Sequence, residues 1–313
     1  MQQITLGRTG LTASVAGLGA GGPSRLGLRT GADAQSPIDL VRHALDLGIT
    51  FVDTAPTYGT EEIVGKAIAG RRDEIVLSTK VRPRKRLGER NSAEEVRQAL
   101  EESLRNLGTD VVDLLHLHAV EVADYEFAME ELLPVLEEFR AKGSARFLAI
   151  SEDFGTDLEH ELLRLALVDD RFDVVMVGFN FLNPSAQRSV LPAAAKRGTG
   201  VEVMYAVRRA LSRPERLHEI LAGLVTDGLV DAELLGTGEP LEFLVREGGA
   251  RSLVDAAYRF ARHQAPGAVI LTGTGSPEHL TENVASIDSP PLDPAAVRRL
   301  EALFGHLATT SGD

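Results

Sequence analysis

The feature that most constrains the fold is a regular alternation of short apolar runs with segments of helical periodicity, sustained along most of the chain. Residues 49–53 are a typical apolar run, rich in β-branched and aromatic side chains, which predicts a strand buried on both faces. Residues 92–107 are a typical helical segment, with a capping box of Ser92 and Glu95 and a terminating Gly108. About eight strand–helix units follow one another, the number that a closed parallel barrel requires.

The two ends of the chain and one interruption complete the predicted architecture. The alternation with glycines at residues 3–12 predicts a short β-hairpin, and residues 294–307 predict a closing helix. Residues 208–250 are polar and glycine-interrupted, which predicts an irregular insertion after the seventh strand. A doubly wound sheet is disfavoured, because the glycines at 17–22 are followed by no clear helix. We therefore predict a single α/β domain over residues 1–313, a (β/α)8 TIM barrel with an N-terminal β-hairpin and a C-terminal closing helix.

The composition disfavours several classes of partner and site. The 313 residues include 46 acidic and 33 basic side chains, and the net charge of -13 disfavours nucleic acid and anionic membranes as partners. The lack of cysteine excludes disulfides, thiol catalysis and cysteine-bound metals. Residues 1–5 do not resemble a signal peptide, and no apolar run approaches the roughly 20 residues of a membrane span. We expect a cytoplasmic protein, a monomer or small homo-oligomer, that acts on a small molecule.

Polar side chains follow the carboxyl ends of successive predicted strands. They are Asp53 with Tyr58 just beyond it, Lys80, His118, and Ser151 with Glu152. Each of them alone has a structural explanation, such as a solvated strand-end lysine or a histidine packed at the rim. Since the carboxyl ends of barrel strands converge on one face, their occurrence on neighbouring strands predicts a single site there.

The residue types at these strand ends suit one kind of chemistry. A tyrosine hydroxyl with a pKa of about 10 is a poor acid–base group at neutral pH. A neighbouring Lys80 ammonium, held by the Asp53 carboxylate, would lower the pKa of Tyr58. A neutral His118 can donate a hydrogen bond to a carbonyl oxygen and orient it. The set therefore favours hydride transfer from a nicotinamide to a carbonyl carbon, with Tyr58 as the proton donor.

Several segments carry a resemblance to a known family. They are residues 51–68 around Asp53 and Tyr58, 77–80 ending at Lys80, 113–118 ending at His118, 142–151 and 272–283. In these segments the chain resembles the aldo-keto reductases, and the resemblance extends over nearly the whole chain. It implies a barrel, an NADP(H) cofactor, carbonyl reduction, and a catalytic tetrad of Asp53, Tyr58, Lys80 and His118.

The resemblance also implies two groups of cofactor-binding residues. At the nicotinamide end they are Ser151, Glu152, Met176 and Tyr205. At the adenosine phosphate end they are Gly273, Gly275, Ser276, His279 and Asn283. The amides at the start of the helix predicted at 277–286 provide an anion-binding site beside Ser276.

Four of these positions depart from the family's pattern. Glu152 stands where Asn is usual, and Met176 stands where Gln is usual. We hypothesise that the Glu152 carboxylate accepts the carboxamide N–H and favours the oxidised ring, which weakens discrimination against oxidised cofactor. Gly275 replaces the Arg that commonly reads the 2′-phosphate, and His279 replaces the usual Gln. NADP is the predicted cofactor, and NAD stays open as the alternative.

The substrate pocket is expected to form from three loops, namely residues 19–27, the loop after His118, and residues 208–250. The candidates for aromatic walls, each with core packing as the alternative, are Phe154, Phe181 and Tyr205. Arg208 and Arg209 follow strand seven and could place positive charge over the cofactor pyrophosphate, or could be solvated loop charges.

Other interpretations of the same residues remain. His116 and His118 lie on one strand face and could form a metal pair, although we identify no further ligands for it at other strand ends. A barrel of this family could also be a cofactor-binding regulatory or scaffold protein, as the potassium-channel β subunits are. A third possibility, suggested by Glu152 and Met176, is a non-redox enzyme such as a dehydratase derived from the same fold.

Overall fold

The computed structural model describes residues 1–31, 35–85, 87–236 and 238–313. Strands β1 and β2 form an antiparallel hairpin, and β3 to β10 form a closed parallel barrel in the order β10-β3-β4-β5-β6-β7-β8-β9. The strands are β1 Gln3–Thr5, β2 Thr12–Ser14, β3 Ala16–Gly19, β4 Phe51–Asp53, β5 Val76–Val81, β6 Val112–Val120, β7 Ala145–Glu152, β8 Val174–Gly178, β9 Gly200–Met204 and β10 Val269–Thr272. The predicted barrel with its N-terminal hairpin is confirmed.

Helices surround this barrel and connect its strands. The α-helices are Ser36–Asp46, Glu61–Ile68, Ala93–Leu107, Tyr125–Phe127, Leu133–Ala141, Glu161–Asp169, Val190–Arg197, Arg209–Ser212, Pro214–Thr226, Ala232–Leu235, Phe243–Arg246, Leu253–Gln264, Pro277–Ile287 and Pro294–Phe304. The longest unbroken α-helix, Ala93–Leu107, is bounded as predicted, with a capping box of Ser92 and Glu95 and a left-handed Gly108. Within the described ranges, no helix combines the length and the apolar character needed to cross a membrane.

The interior of the barrel changes from apolar at its floor to polar at its mouth. Floor side chains from the barrel strands pack against side chains of the N-terminal hairpin, which therefore closes the amino end. The members of this floor are Leu6, Leu11, Ala13, Phe51, Val76, Leu114, Ala149, Val174 and Val269. Because side chains alternate along a strand, Ser78 and Lys80 follow Val76 on the inward face of β5, each one layer nearer the mouth.

The register between neighbouring strands sets the height of each inward side chain. Lys80 on β5 lies level with His116 on β6, so His118 is one layer closer to the mouth. Asp53, the last residue of β4, lies level with Ser78 on β5. The last polar residues of β4, β5 and β6 consequently meet at the carboxyl end of the barrel.

Two segments differ from their predicted structure. Residues 208–250, expected to be irregular, include the 13-residue helix Pro214–Thr226. Its buried leucines at 217, 221 and 224 have helical spacing, and Pro214 suits a first helical turn, where its missing N–H has no partner to lose. Residues 125–142 have the helical periodicity that predicts one continuous helix, but they contain a π-helical segment, Ala128–Leu132. This segment lies just before Pro134, whose ring prevents a regular α-helical ladder.

Candidate active site

The deepest part of the predicted tetrad is a buried ion pair between Lys80 and Asp53. The Lys80 ammonium, fully buried, donates to Asp53 Oδ1 and to the Thr54 carbonyl oxygen, the latter at 2.9 Å. Ser78 Oγ donates to the same Asp53 oxygen at 2.9 Å. Burial lowers the pKa of Lys80, but the neighbouring Asp53 charge more than offsets it, so that the pKa lies above its usual value. Lys80 is therefore a fixed positive charge at neutral pH.

Tyr58 lies directly above this pair. It ends a short 3₁₀ turn, Pro56–Tyr58, closed by Gly59 in the left-handed conformation. Lys80 Nζ is 5.3 Å from the centroid of the Tyr58 ring. Burial raises the pKa of Tyr58 more than the Lys80 ammonium lowers it, so the expected downward shift is wrong in sign. The hydroxyl is thus a protonated phenol at neutral pH, in the state that can donate.

His118 completes the group on the β6 side. Its Nε2 is 3.2 Å from the Tyr58 hydroxyl, and the two rings meet edge to face. Burial, reinforced by the Lys80 charge, holds the pKa of His118 well below its usual value, which keeps the imidazole neutral. His116 lies one layer deeper and does not reach Tyr58, in agreement with the predicted order of the two histidines. The structure therefore brings all four predicted tetrad residues together.

Gly21 is a positioning residue that the sequence analysis included only as part of a Gly-rich loop. A Cβ placed on Gly21 would lie 2.6 Å from the Tyr58 ring, so no larger residue fits without moving the phenol. The signal that could have identified it is a glycine in the loop facing a predicted catalytic residue across the barrel mouth.

Replacing Gly21 by Ala is expected to lower kcat of a reaction that uses the Tyr58 hydroxyl by about 10- to 100-fold, because displacements near 1 Å carry costs of this size. Steady-state kinetics on the variant measure this. Gly223→Ala is the matched control, since a Cβ there would meet nothing within 4 Å. Equal kcat values for Gly21→Ala and the wild type would show that the loop yields and does not position Tyr58.

A layer of buried polar groups, missed by the sequence analysis, lies beneath the tetrad. Glu202 on β9 is fully buried, with one carboxylate oxygen 3.2 Å from His116 Nε2 but without the alignment of a hydrogen bond. Burial raises the pKa of Glu202 to about 8 and lowers that of His116 to about 3, the Lys80 charge adding to the latter effect. Both groups are therefore neutral near pH 7.

This layer contains possible metal ligands, which affects the interpretation of His116 and His118 as a metal pair. Asp53, His116 and Glu202 each offer a ligand atom, and these atoms lie within 4.8 Å of one another. The expectation that other strands offer no further ligands is thus wrong. Of the two histidines, only His116 belongs to this group of possible ligands. The Lys80 ammonium already binds Asp53, and its charge opposes a metal cation at this position.

The residues predicted for the nicotinamide end have different surroundings. Ser151, Glu152 and Met176 line the cavity at the barrel mouth. Ser151 Oγ accepts a hydrogen bond from the Ala119 N–H at 2.7 Å. Glu152 is only 2% exposed, and its Oε1 accepts from the Gly178 N–H at 2.8 Å and lies 2.9 Å from His160 Nδ1. Glu152 is thus held by protein groups, and its effect on the oxidised ring stays a prediction.

Tyr205 also lines the cavity, in a left-handed backbone conformation with φ of 65° just beyond β9. The edge of its ring contacts Phe154, and the guanidinium of Arg208 lies 4.2 Å from its centroid. Arg208 and Arg209 both pair with Asp313. The Arg208 side chain is 17% exposed, whereas that of Arg209 is 55% exposed, so Arg209 keeps both predicted roles open. Phe154 lines the cavity as predicted, whereas Phe181 packs in the core against Phe260 and Phe304.

The predicted adenosine phosphate end forms where β10 leads into the helix Pro277–Ile287. Ser276 caps this helix by accepting from the His279 N–H at 3.1 Å, and its hydroxyl donates to Glu278 Oε2 at 2.7 Å. Asn283 is turned toward β10, donating to Thr272 Oγ1 at 3.0 Å. Gly273 and Gly275 leave the approach free of side chains, and a Cβ on Gly273 would lie 2.9 Å from the Gly19 carbonyl oxygen.

A cavity of about 950 Å³ opens over the tetrad at the mouth of the barrel. Tyr58, Lys80 and His118 form part of its lining. The three loops predicted for the pocket all contribute to it, through residues that include Pro23, Glu121 and Arg209. A protonated phenol, a neutral imidazole and a fixed ammonium thus face one space that is large enough for a small molecule.

The chain is similar to several known proteins. L-galactose dehydrogenase of Arabidopsis thaliana is 34% identical over 63% of this chain, which spans 62% of the length of that enzyme. The NADH-specific methylglyoxal reductase of Escherichia coli strain K12 is 30% identical over 67% of this chain and 69% of its own length. A Klebsiella pneumoniae aldo-keto reductase crystallised with NADPH has the same fold, with a TM-score of 0.70 at 24% identity over 99% of this chain and 98% of its own.

The family model of the aldo/keto reductase family matches residues 17–304. This match includes all eight barrel strands except the first residue of β3, as well as the whole tetrad. The chain therefore belongs to the aldo/keto reductase family.

Proposed function

We propose that this protein reduces an aldehyde or ketone to an alcohol, using a reduced nicotinamide dinucleotide as hydride donor and Tyr58 as proton donor. The observation that supports this most directly is the contact of the Tyr58 hydroxyl with His118 Nε2 at 3.2 Å, above the buried Lys80–Asp53 pair and at the base of the cavity. A carbonyl oxygen placed against these two groups can receive hydrogen bonds from both.

The proton chemistry follows from the state of each side chain. Tyr58 is protonated at neutral pH and donates its proton to the carbonyl oxygen as negative charge develops there. The Lys80 ammonium stabilises the phenolate that remains, and Asp53 holds that ammonium in place. A neutral His118 with its proton on Nε2 donates a hydrogen bond to the same oxygen and orients it. In the reverse direction, the phenolate accepts the proton of an alcohol.

The residues around the cavity fit a nicotinamide dinucleotide. Tyr205 offers a ring near the tetrad, while the amino end of the helix Pro277–Ile287 offers a favourable position for a phosphate. Gly273 and Gly275 allow the close approach of a ligand between them. When bound, the reduced nicotinamide would supply the hydride that the carbonyl carbon receives.

Selection between NADP and NAD depends on the adenosine end. The family resemblance implies NADP, and one similar structure was crystallised with NADPH, whereas one relative is described as NADH-specific. This chain has Gly275 where an arginine is common, and the Glu278 carboxylate occupies the Ser276 hydroxyl. That carboxylate repels a 2′-phosphate and thereby weakens the discrimination against NAD. NADP stays the predicted cofactor on the strength of the family resemblance.

Glu278→Gln is expected to tighten NADPH binding by about 3-fold and to leave NADH binding nearly unchanged, because one exposed charge contributes up to about 1 kcal/mol. Fluorescence titration with each reduced cofactor gives both dissociation constants. Glu282→Gln, an exposed acid on the same helix, is the matched control. An unchanged ratio of the two constants in Glu278→Gln would show that this carboxylate does not face the 2′-position.

The proposed reaction is tested by following NADPH and NADH consumption with a panel of small aldehydes and ketones. Turnover that is lost in Tyr58→Phe would support reduction by the tetrad. Tight cofactor binding without turnover of any carbonyl would contradict it. That result would favour a regulatory or scaffold protein of this family, or a non-redox enzyme derived from it.

A further inference from the structure

We propose that Arg82 binds an anionic group on the substrate, so that the protein acts on carbonyl compounds that carry a carboxylate or a phosphate. This inference depends on the proposed carbonyl chemistry of the same cavity and adds the class of substrate.

Arg82 lies at the mouth of the barrel, one layer above Lys80. It follows β5 immediately, and the alternation of side chains places residue 82 on the same inward side as residues 78 and 80. Its side chain is exposed and lines the cavity over the tetrad. A group bound beside Arg82 is therefore in the same space as the carbonyl that would contact Tyr58.

The charge of Arg82 changes the pKa of groups around the position where the carbonyl would react. It lowers the pKa of Tyr58, which follows the neighbouring strand β4, and of His118, which lies on the other neighbouring strand, β6. It also lowers the pKa of Tyr205, which follows β9 on the opposite side of the barrel. In each case burial is the larger influence and Arg82 a lesser one. Because Arg82 lowers the pKa of groups on both sides of the barrel, we infer that its guanidinium extends over the mouth.

Within the described residues Arg82 has no partner, in contrast to three other cations that line the cavity. Arg84 pairs with Asp124, Lys85 with Glu95, and Arg208 with Asp313. Among the residues that the structure describes, no hydrogen bond or ion pair satisfies the Arg82 side chain. In a chain with a net charge of -13, a guanidinium without a carboxylate partner in the cavity is free to bind an external anion.

The position of Arg82 assigns it to the substrate and not to the cofactor. The residues proposed to hold the cofactor belong to β7, β8, β9 and β10 or follow them, whereas Arg82 follows β5. In the barrel order β5 is the strand directly opposite β9. The five-donor fork of a guanidinium matches carboxylate and phosphate oxygens, which defines the chemistry of the group it would hold.

The proposal is tested with matched substrate pairs that differ by one anionic group. Succinic semialdehyde is compared with butanal, and glyceraldehyde 3-phosphate with glyceraldehyde, for the wild type, Arg82→Gln and Arg164→Gln. Arg164 is an exposed arginine on the helix Glu161–Asp169, away from the cavity. We expect the ratio of kcat/KM for the anionic over the neutral partner to exceed about 10 in the wild type and to fall about 10- to 100-fold in Arg82→Gln only.

The result distinguishes the source of the anion and separates this inference from the proposed reaction. Loss of preference in one pair alone identifies the carboxylate or the phosphate as the group recognised. Turnover of both members of each pair at equal efficiency, with or without Arg82, would overturn the inference and leave carbonyl reduction intact.

Absence of all turnover would instead contradict the proposed reaction, and anion binding is then measured by itself. Isothermal titration with succinate and with glycerol 3-phosphate is expected to show affinity at least about 10-fold weaker in Arg82→Gln than in the wild type. Equal affinities in the two proteins would overturn the role of Arg82. The Arg164→Gln control is expected to bind as the wild type does.

Discussion

Replacing Tyr58 by phenylalanine is expected to lower kcat for carbonyl reduction by about 10²- to 10⁴-fold, the range typical of a positioned proton donor. The substitution removes only the hydroxyl that lies 3.2 Å from His118 Nε2, and the ring can remain between Gly21 and the Lys80 ammonium. Cofactor dissociation constants should therefore change little. Stopped-flow and steady-state measurement of nicotinamide oxidation, together with cofactor titration, separates the two effects.

Tyr125→Phe is the control for this substitution. The Tyr125 hydroxyl donates a hydrogen bond to Asp169 Oδ2 at 2.7 Å, and Tyr125 is not among the residues that line the cavity. It should retain wild-type kcat. A Tyr58→Phe enzyme that keeps more than about one tenth of the wild-type kcat would mean that another group protonates the carbonyl oxygen.

Replacing Glu202 by glutamine is expected to raise the free energy of unfolding by about 4 kcal/mol at pH 8 and to change it little at pH 4. Burial raises the pKa of Glu202 from 4.5 to about 8 in the folded protein. Between these values the folded state retains a proton that the unfolded state releases, so stability falls as the pH rises. Glutamine has no proton to lose and removes this dependence.

His116 has the opposite effect on the wild type. Burial, with Lys80 next, lowers its pKa from 6.5 to about 3, so the unfolded state gains a proton first as the pH falls. Between about pH 4.5 and 6.5 the two slopes cancel, and above this window the Glu202 contribution remains alone. The sum of these two contributions is therefore flat in that window and declines toward pH 8. Other shifted groups, His118 among them, cancel when the Glu202→Gln profile is compared with that of the wild type.

Urea denaturation at pH 4, 6 and 8 measures both effects. Glu282→Gln, a change of the same kind at an exposed helical position, should follow the wild-type profile. A Glu202→Gln profile that runs parallel to the wild type at all three values would mean that Glu202 is ionised in the folded protein. In that case the neutral layer beneath Asp53 does not exist.

Much of the fold and the tetrad could be predicted because both depend on local patterns. A strand ends where its apolar run ends, and parallel strands bring their carboxyl ends to one rim. Asp53, Lys80 and His118 therefore had to meet once eight strands were recognised. The helix Pro214–Thr226 was predictable in principle from its leucine spacing, which was obscured by the glycines around it.

Other features depend on distances that no local pattern contains. Glu202 and His116 belong to strands that are not neighbours in the barrel, and only closure brings them within 3.2 Å. The sign of the Tyr58 pKa shift depends on how deeply the phenol is buried, since desolvation and the Lys80 charge act in opposite directions. The engagement of Glu152 with His160 likewise joins β7 to a loop residue in the rare left-handed conformation.

Leu6, Leu11 and Ala13 of the apolar floor close the amino end of the barrel, which has a consequence for the order of binding and release in a catalytic cycle. Because the amino end of the barrel is closed, a ligand reaches Tyr58 only through the mouth. A ligand that binds first therefore lies beneath a ligand that binds second. We expect the ligand that binds last to dissociate first. The rate of turnover then depends on how quickly the deeper ligand becomes exposed.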